Sequence, residues 1–268
     1  MRAKVLIDYH IHTRLCKHAN GVPEDYVKQA IKEGFFEIGF ADHIPMPNEY
    51  DPENRMTILE LPEYINTINE LKSRYSEIDI KLGIEADYFP KYIDYVKKII
   101  DENEFDYVLA AVHFLDEWGI DNEKYVDEFK KRDINEAYIE YFDTVKKAAE
   151  TKIFDVIAHF DVIKKFGYRP ENGYLEIATD ALKTIKENDI CLEINTSGLR
   201  KEAKEVYPND EIIFKAYELD IPITLGSDSH NPSEVGWHFN ETIKKLKKIG
   251  YRKLCRFSKR KRSFLSLT

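Results

Sequence analysis

The chain has 268 residues, of which 43% are hydrophobic, 33% charged and 13% aromatic, and its formal net charge is −9. Apolar and aromatic side chains suffice for a large core, so the charge does not signal disorder. No apolar run approaches the ~18 residues of a membrane span, and an acidic chain is ill suited to coating nucleic acid or anionic lipid.

The opening Met-Arg-Ala-Lys-Val-Leu-Ile-Asp sets only three apolar residues before a charge, which is not a signal-peptide pattern. Cys16, Cys191 and Cys255 have no disulfide-framework spacing, and the two features together predict a cytoplasmic protein. A first strand is expected at 5–10. A helix follows at 23–33, with Pro23 in its first turn ahead of Glu24 and Asp25. Strand 38–42 leads to helix 61–75, whose Leu61, Tyr64, Ile65, Ile68 and Leu71 recur three and four apart. Strand 80–86 precedes helix 90–102. Strand 107–113 carries the run Val108-Leu109-Ala110-Ala111-Val112, typical of a strand buried on both faces. Helix 134–151 (Tyr138, Tyr141, Phe142, Val145, Ala149), strand 154–159, helix 174–188 and strand 190–195 continue the alternation. Asn209 with Asp210 and Glu211 caps a helix at 209–219, before strand 223–227 and helix 234–249.

Residues 251–268 hold seven Lys/Arg and no Asp/Glu, which leaves −16 on the first 250 residues. The basic run Lys259–Arg262 lacks interleaved stacking aromatics. It reads as a polar turn between short strands at 253–257 and 263–267 rather than as a nucleic-acid patch. Seven strand–helix units without a linker tract predict one α/β domain over 1–268, either a closed barrel or an open doubly wound sheet. Neither G-x-G-x-x-G nor G-x-x-x-x-G-K-[ST] occurs, so the usual nucleotide-cradling loops are excluded.

The histidines carry the functional signal. Of eight, six fall at or just past the C-terminal end of an expected strand: His10, His12, His43, His113, His159 and His230. Asp8, Asp42, Glu85, Glu193 and Asp228 occupy matching places. In a barrel those strand ends share one face, so residues distant in sequence converge. His10-Ile11-His12 sets two imidazoles on one side of an extended strand, and Asp228-Ser229-His230 repeats the spacing. Imidazole and carboxylate are ligands of zinc, manganese and iron, and a structural zinc would need only four of them. The cluster therefore reads as a multinuclear catalytic site. His18 follows closely enough to fold over the same face, and Cys16 beside it reads as a ligand or as a loop thiol. His238 reads as a helix-start or packing residue and Cys191 as a core residue.

These motifs resemble the polymerase and histidinol phosphatase (PHP) family of metal-dependent phosphoesterases. Asp8-Tyr9-His10-Ile11-His12-Thr13 with Cys16-Lys17-His18 is similar to its first motif and Phe40-Ala41-Asp42-His43 to its second. Gly83-Ile84-Glu85 is similar to the third and Gly226-Ser227-Asp228-Ser229-His230 to the last. Glu193–Arg200 resembles a stretch of the histidinol-phosphate phosphatase branch. The resemblance implies a distorted TIM-like barrel of seven βα units, with the active site at the C-terminal strand ends. It also implies three divalent ions (zinc, manganese or iron) in groups of His10, His12, Glu85 and Asp228; Glu85, His113 and His159; and His18, His43 and His230. The implied partner is a small phosphomonoester, L-histidinol phosphate, with no nucleic acid and no membrane. A hydroxide shared by two metals would attack phosphorus. Arg200, with Lys164, would grip the phosphate. Asp42 would protonate the leaving alkoxide or orient His43.

Overall fold

A strand buried on both faces must stand between an inner filling and an outer cover, and the apolar runs of this chain are used in that way. The computed structural model describes residues 6–267, so Val5 of the first expected strand lies outside the described residues. The wall is built from β1 (Ile7–Ile11), β2 (Glu37–Phe40), β3 (Asp79–Asp87) and β4 (Tyr107–Ala111). After the hairpin of β5 (Phe114–Leu115) and β6 (Trp118–Gly119), it continues with β7 (Val156–Ile157), β8 (Cys191–Asn195) and β9 (Ile223–Gly226). The order β1-β2-β3-β4-β7-β8-β9 is parallel throughout.

The sheet all but closes on itself, which decides for a distorted barrel over an open sheet. His12 N–H donates to the Ser229 carbonyl (3.0 Å), and Ser229 N–H donates to that of His10 (3.1 Å). The Asp8 carboxylate adds a stitch by accepting the N–H groups of Ser227 (2.9 Å) and Gly236 (3.0 Å).

Helices α1 (Pro23–Glu33), α2 (Leu61–Arg74), α3 (Ile93–Glu102), α4 (Ile134–Glu150), α5 (Leu175–Glu187), α6 (Asp210–Glu218) and α7 (Phe239–Ile249) follow the strands in alternation. The Asn209 side chain caps α6 by accepting from Ile212 N–H, as its position predicts. Beyond shorter shifts, such as α3 starting at Ile93 after a 3-10 turn at Pro90–Tyr92 and β4 ending at Ala111 rather than 113, two elements depart further from expectation. Strand β7 is only two residues long, because His159 turns left-handed (φ 50°) and leaves the sheet. Helix α7 starts at Phe239 rather than 234, since Pro232–Glu234 form a separate 3-10 turn and His238 sits at φ 59° as the helix start.

The other mouth of the barrel is filled and capped. Tyr107 is fully buried, and its hydroxyl donates to the Tyr9 carbonyl (2.7 Å). Strands β10 (Lys253–Ser258) and β11 (Lys261–Ser266) form the expected hairpin. Lys259 and Arg260 take the two positive-φ positions of a tight turn. The basic run is a plug for acidic strand starts: Arg256 pairs with Glu37, Arg260 with Asp155 and Arg262 with Asp189. Lys259 N–H donates to Asp106. The reading as a polar turn therefore holds, and the sequence asymmetry has a structural partner. Among the described residues no helix is long and apolar enough to cross a membrane.

Candidate metal centre

The strand ends bring all nine histidine, glutamate and aspartate candidates to one mouth. Glu85, on β3, is the hub. His159 Nε2 lies 2.7 Å and His113 Nε2 3.5 Å from its Oε1, while His43 Nδ1 (2.8 Å), His10 Nε2 (3.4 Å) and His12 Nε2 (3.6 Å) surround its Oε2. Asp228 Oδ1 stands 3.2 Å from His12 Nε2 and 3.9 Å from His10 Nε2. The His18 and His230 rings stack at 4.5 Å, and His230 stacks on His12 at 4.1 Å. His159 and Asp228 both sit at φ near +50°, where a side chain is strained. The backbone accepts about 1–3 kcal/mol each to aim them inward.

Second groups fix the rings. His10 Nδ1 lies 2.7 Å from Glu193 Oε1, and Glu193 also accepts from Asn195 (3.0 Å). A Cβ on Gly226 would run into that carboxylate and into His10, so glycine is required there. His113 Nδ1 lies 2.8 Å from Asp87, which is paired in turn with Arg55 (2.8 Å). Such partners set the tautomer and leave the far nitrogen for a ligand role.

What remains is a set of buried polar atoms that lie near one another but make no aligned hydrogen bond: His10 Nε2, both nitrogens of His12, His43 Nδ1, Glu85 Oε2 and His230 Nε2. Orphaned groups of this kind are costly unless something else satisfies them. Donor atoms of His10, His12 and Asp228 lie within 4.8 Å of one another, as do those of His10, Glu85 and His159, and of His12, His43 and His230. Neutral imidazoles and carboxylates so spaced fit divalent ions.

The ion-free electrostatics say the same. Burial would lower His10 and His12, but Glu193, Glu85 and Asp228 hold His10, and Asp228, Asp42 and Cys16 hold His12, well above the ordinary imidazole range. His113 is pushed up to about 10, since Asp87, Asp121 and Glu85 outweigh its burial. Glu85 is held well below the carboxylate range because the surrounding imidazoles outweigh burial. Burial and the neighbouring His12 instead drive His230 well down. A cluster that has to borrow protons to balance its charge is suited to cations.

Three other expectations meet different outcomes. Arg200 lines the cavity over the centre, donates to the carbonyls of Ser227 (2.9 Å) and Asp228 (3.0 Å), and has Nη1 buried without a partner. Lys164 is not brought to the cavity. It is wholly buried, paired with Asp161 (2.8 Å) and Glu205 (3.1 Å), because the 3-10 turn Val162–Lys164 rotates it away. Its neighbour Lys165 faces the cavity instead, as does Lys201. Asp42 is also wholly buried. One oxygen accepts from Thr13 N–H (3.1 Å) and the Thr13 hydroxyl; the other accepts from His43 N–H (2.9 Å) and lies 3.5 Å from His12 Nδ1. It is enclosed by these partners and does not line the cavity.

The cavity holds about 540 Å³. Asp51, Asn54, Arg55, Asp121 and Glu123 line it together with Arg200 and Lys201. Asp87 could have been found from sequence, since it follows Glu85 at the same i, i+2 spacing as the histidine pair. Arg55 and Lys165 carry no such signal.

A PHP domain model matches residues 8–197, most of the chain. The chain belongs to the PHP family. A Deinococcus radiodurans relative named "Probable histidinol-phosphatase" is 39% identical over 249 residues, covering 92% of this chain and 95% of that protein. The histidinol-phosphatase of Bacillus subtilis is 28% identical, covering 89% and 98%. The Lactococcus lactis histidinol phosphate phosphatase, solved with zinc, L-histidinol and phosphate, superposes with a TM-score of 0.82 at 25% identity, covering 96% of this chain and 98% of that one.

Proposed function

We propose that this protein hydrolyses L-histidinol phosphate to L-histidinol and phosphate, using a centre of three divalent ions. The observation that carries the reading is the convergence of nine ligand-type side chains, many with orphaned buried atoms, at one cavity that seven of them line, with His10 and His12 buried behind. Kinship across the whole chain with histidinol-phosphatases, one of them solved with zinc and both products, supports it.

In this reading His10, His12, Glu85 and Asp228 would hold one ion, Glu85 with His113 and His159 a second, and His18, His43 and His230 the third. Bound there, zinc, manganese or iron supplies acidified water and positive charge against the phosphate oxygens. The chain supplies the positioning. Arg200, anchored by two carbonyls and keeping Nη1 free, donates to a phosphate oxygen, and Lys165 and Lys201 add charge from the same rim. Lys165 is itself fixed by donating to the Asp121 carbonyl and to its carboxylate (3.2 Å). The lining also includes Asp51, Asp121 and Glu123, carboxylates that offer acidic partners to the ammonium and imidazole of the leaving alcohol. Those carboxylates suit a cationic amino alcohol and repel an oligonucleotide.

The test is kcat/KM for histidinol phosphate, phosphotyrosine and a short oligonucleotide on metal-replete protein. Histidinol phosphate should lead by about a hundredfold or more. Equal or better turnover of either rival would overturn the substrate assignment.

A further inference from the structure

Cys16 has no part in the ligand groups above, yet the fold directs it at the outermost of them. We infer that its thiolate is a sulfur ligand to the ion held by His18 and His230, which makes that position a mixed sulfur–imidazole site. The inference rests on the metal-centre reading and adds a donor to it.

Four observations carry it. Cys16 is wholly buried although it lies in a loop. One donor atom each from Cys16, His18 and His230 lie within 4.8 Å of one another. His18 and His230 both commit Nδ1 to a backbone carbonyl, Cys16 O at 2.7 Å and Asp228 O at 3.1 Å, which turns Nε2 to the shared space. His230 Nε2 and both nitrogens of the fully buried His12, which shares a second such donor group with Cys16, make no aligned hydrogen bond.

The backbone holds the sulfur in place from both sides. Thr13 caps the 3-10 turn Arg14–Cys16 by accepting from Leu15 N–H, and Lys17 reverses the chain at φ 70°. Asn20 N–H then donates to the His230 carbonyl (2.8 Å), which ties the loop to the strand end bearing the other ligand. The chemistry favours the same assignment. His18, His43 and His230 are neutral donors, so a dication held by them alone keeps its full charge. A thiolate cancels one unit as its proton passes to solvent. Zinc accepts such a set, with sulfur at about 2.3 Å and nitrogen at about 2.0–2.1 Å. A soft donor also favours zinc or iron over manganese at this one position.

Cobalt(II) provides the readout. Protein stripped of metal and reloaded with cobalt should show a near-ultraviolet thiolate-to-cobalt charge-transfer band of one thiolate per chain. Cys16→Ser should abolish the band and weaken retention of one cobalt by about ten- to a hundredfold. Cys191→Ser and Cys255→Ser should keep it, since those thiols lie towards the opposite mouth. Bound cobalt with d–d bands but no charge-transfer band in the wild type would overturn the sulfur ligand and leave the metal centre standing. Failure to bind cobalt at all would bring down both. If Cys16→Ser does not fold, X-ray absorption of the wild-type zinc protein decides: sulfur scattering at about 2.3 Å supports the ligand, and its absence refutes it.

Discussion

Glu85→Gln removes the charge on which the centre balances while keeping its shape. The side chain is 1% exposed, and imidazole nitrogens of His10, His12, His43, His113 and His159 lie 2.7 to 3.6 Å from its oxygens. It is one of two carboxylates among the proposed ligands, so the substitution removes one unit of the negative charge facing the dications. A unit charge at about 4 Å in an effective dielectric of about 20 is worth about 4 kcal/mol. At about 1.4 kcal/mol per tenfold, that is about three orders of magnitude in metal retention. The assay is metal content by elemental analysis after dialysis against graded chelator, with histidinol phosphate hydrolysis measured in parallel. The variant should lose one or two ions at chelator concentrations about a thousandfold lower and lose activity with them. Wild-type metal content together with kcat/KM within about threefold would refute the hub role.

The two adjacent lysines should separate cleanly. Lys164→Met strands the buried Asp161 and should cost about 3 kcal/mol or more, read as a fall in Tm, with kcat/KM unchanged; Lys165→Met should cut kcat/KM about ten- to a hundredfold with little change in Tm. The reverse pattern would return the phosphate to Lys164. In the plug, Arg256→Met leaves Glu37 wholly buried with only Lys81 at 3.5 Å and the Tyr9 hydroxyl for partners. It should cost about 2–3 kcal/mol in thermal unfolding without loss of metal, and an unchanged Tm would show the hairpin contact to be idle. Metal binding should depend on pH. A raised imidazole pKa stabilises the metal-free fold fully below the ordinary value of 6.5 and loses that contribution as pH rises towards about 10 for His113. Ions must displace those protons, so apparent affinity should climb across the same window. Calorimetry in buffers of different ionisation enthalpy should count about two or three protons released at neutral pH, and no buffer dependence would contradict the assignment.

Much of the centre was legible because its signals are local. Histidines two residues apart on a strand share a side by geometry alone, and a ligand at the end of an apolar run lands on the C-terminal face of any barrel. Periodicity located the helices for the same reason, with α7 as the exception, where Pro232 and the left-handed His238 delay the start. Lys164 and Lys165 mark the limit. They are identical and adjacent, and the rotation of one short turn puts the first against Asp161 and the second over the cavity. Asp42 is a similar case, since a carboxylate beside a ligand histidine has the same sequence signature whether it faces substrate or is enclosed by Thr13 and a backbone amide.

Patterns two to four residues long are enough to specify the seven βα units, the histidines and carboxylates at the strand ends and their common face. The acidity of the sequence gained its partners only in three dimensions. Strand closure between β1 and β9 draws Asp228 to His12, and the hairpin of β10 and β11 carries the C-terminal cations to Glu37, Asp155 and Asp189. Arg55 reaches Asp87, and the Cys16 sulfur reaches His18 and His230, by the same kind of long-range arrangement. Those pairings depend on how loops of irregular backbone fold over a rigid barrel mouth. No short-range periodicity encodes such packing, so which charges pair with the clustered histidines and which line the cavity emerges only from the long-range fold.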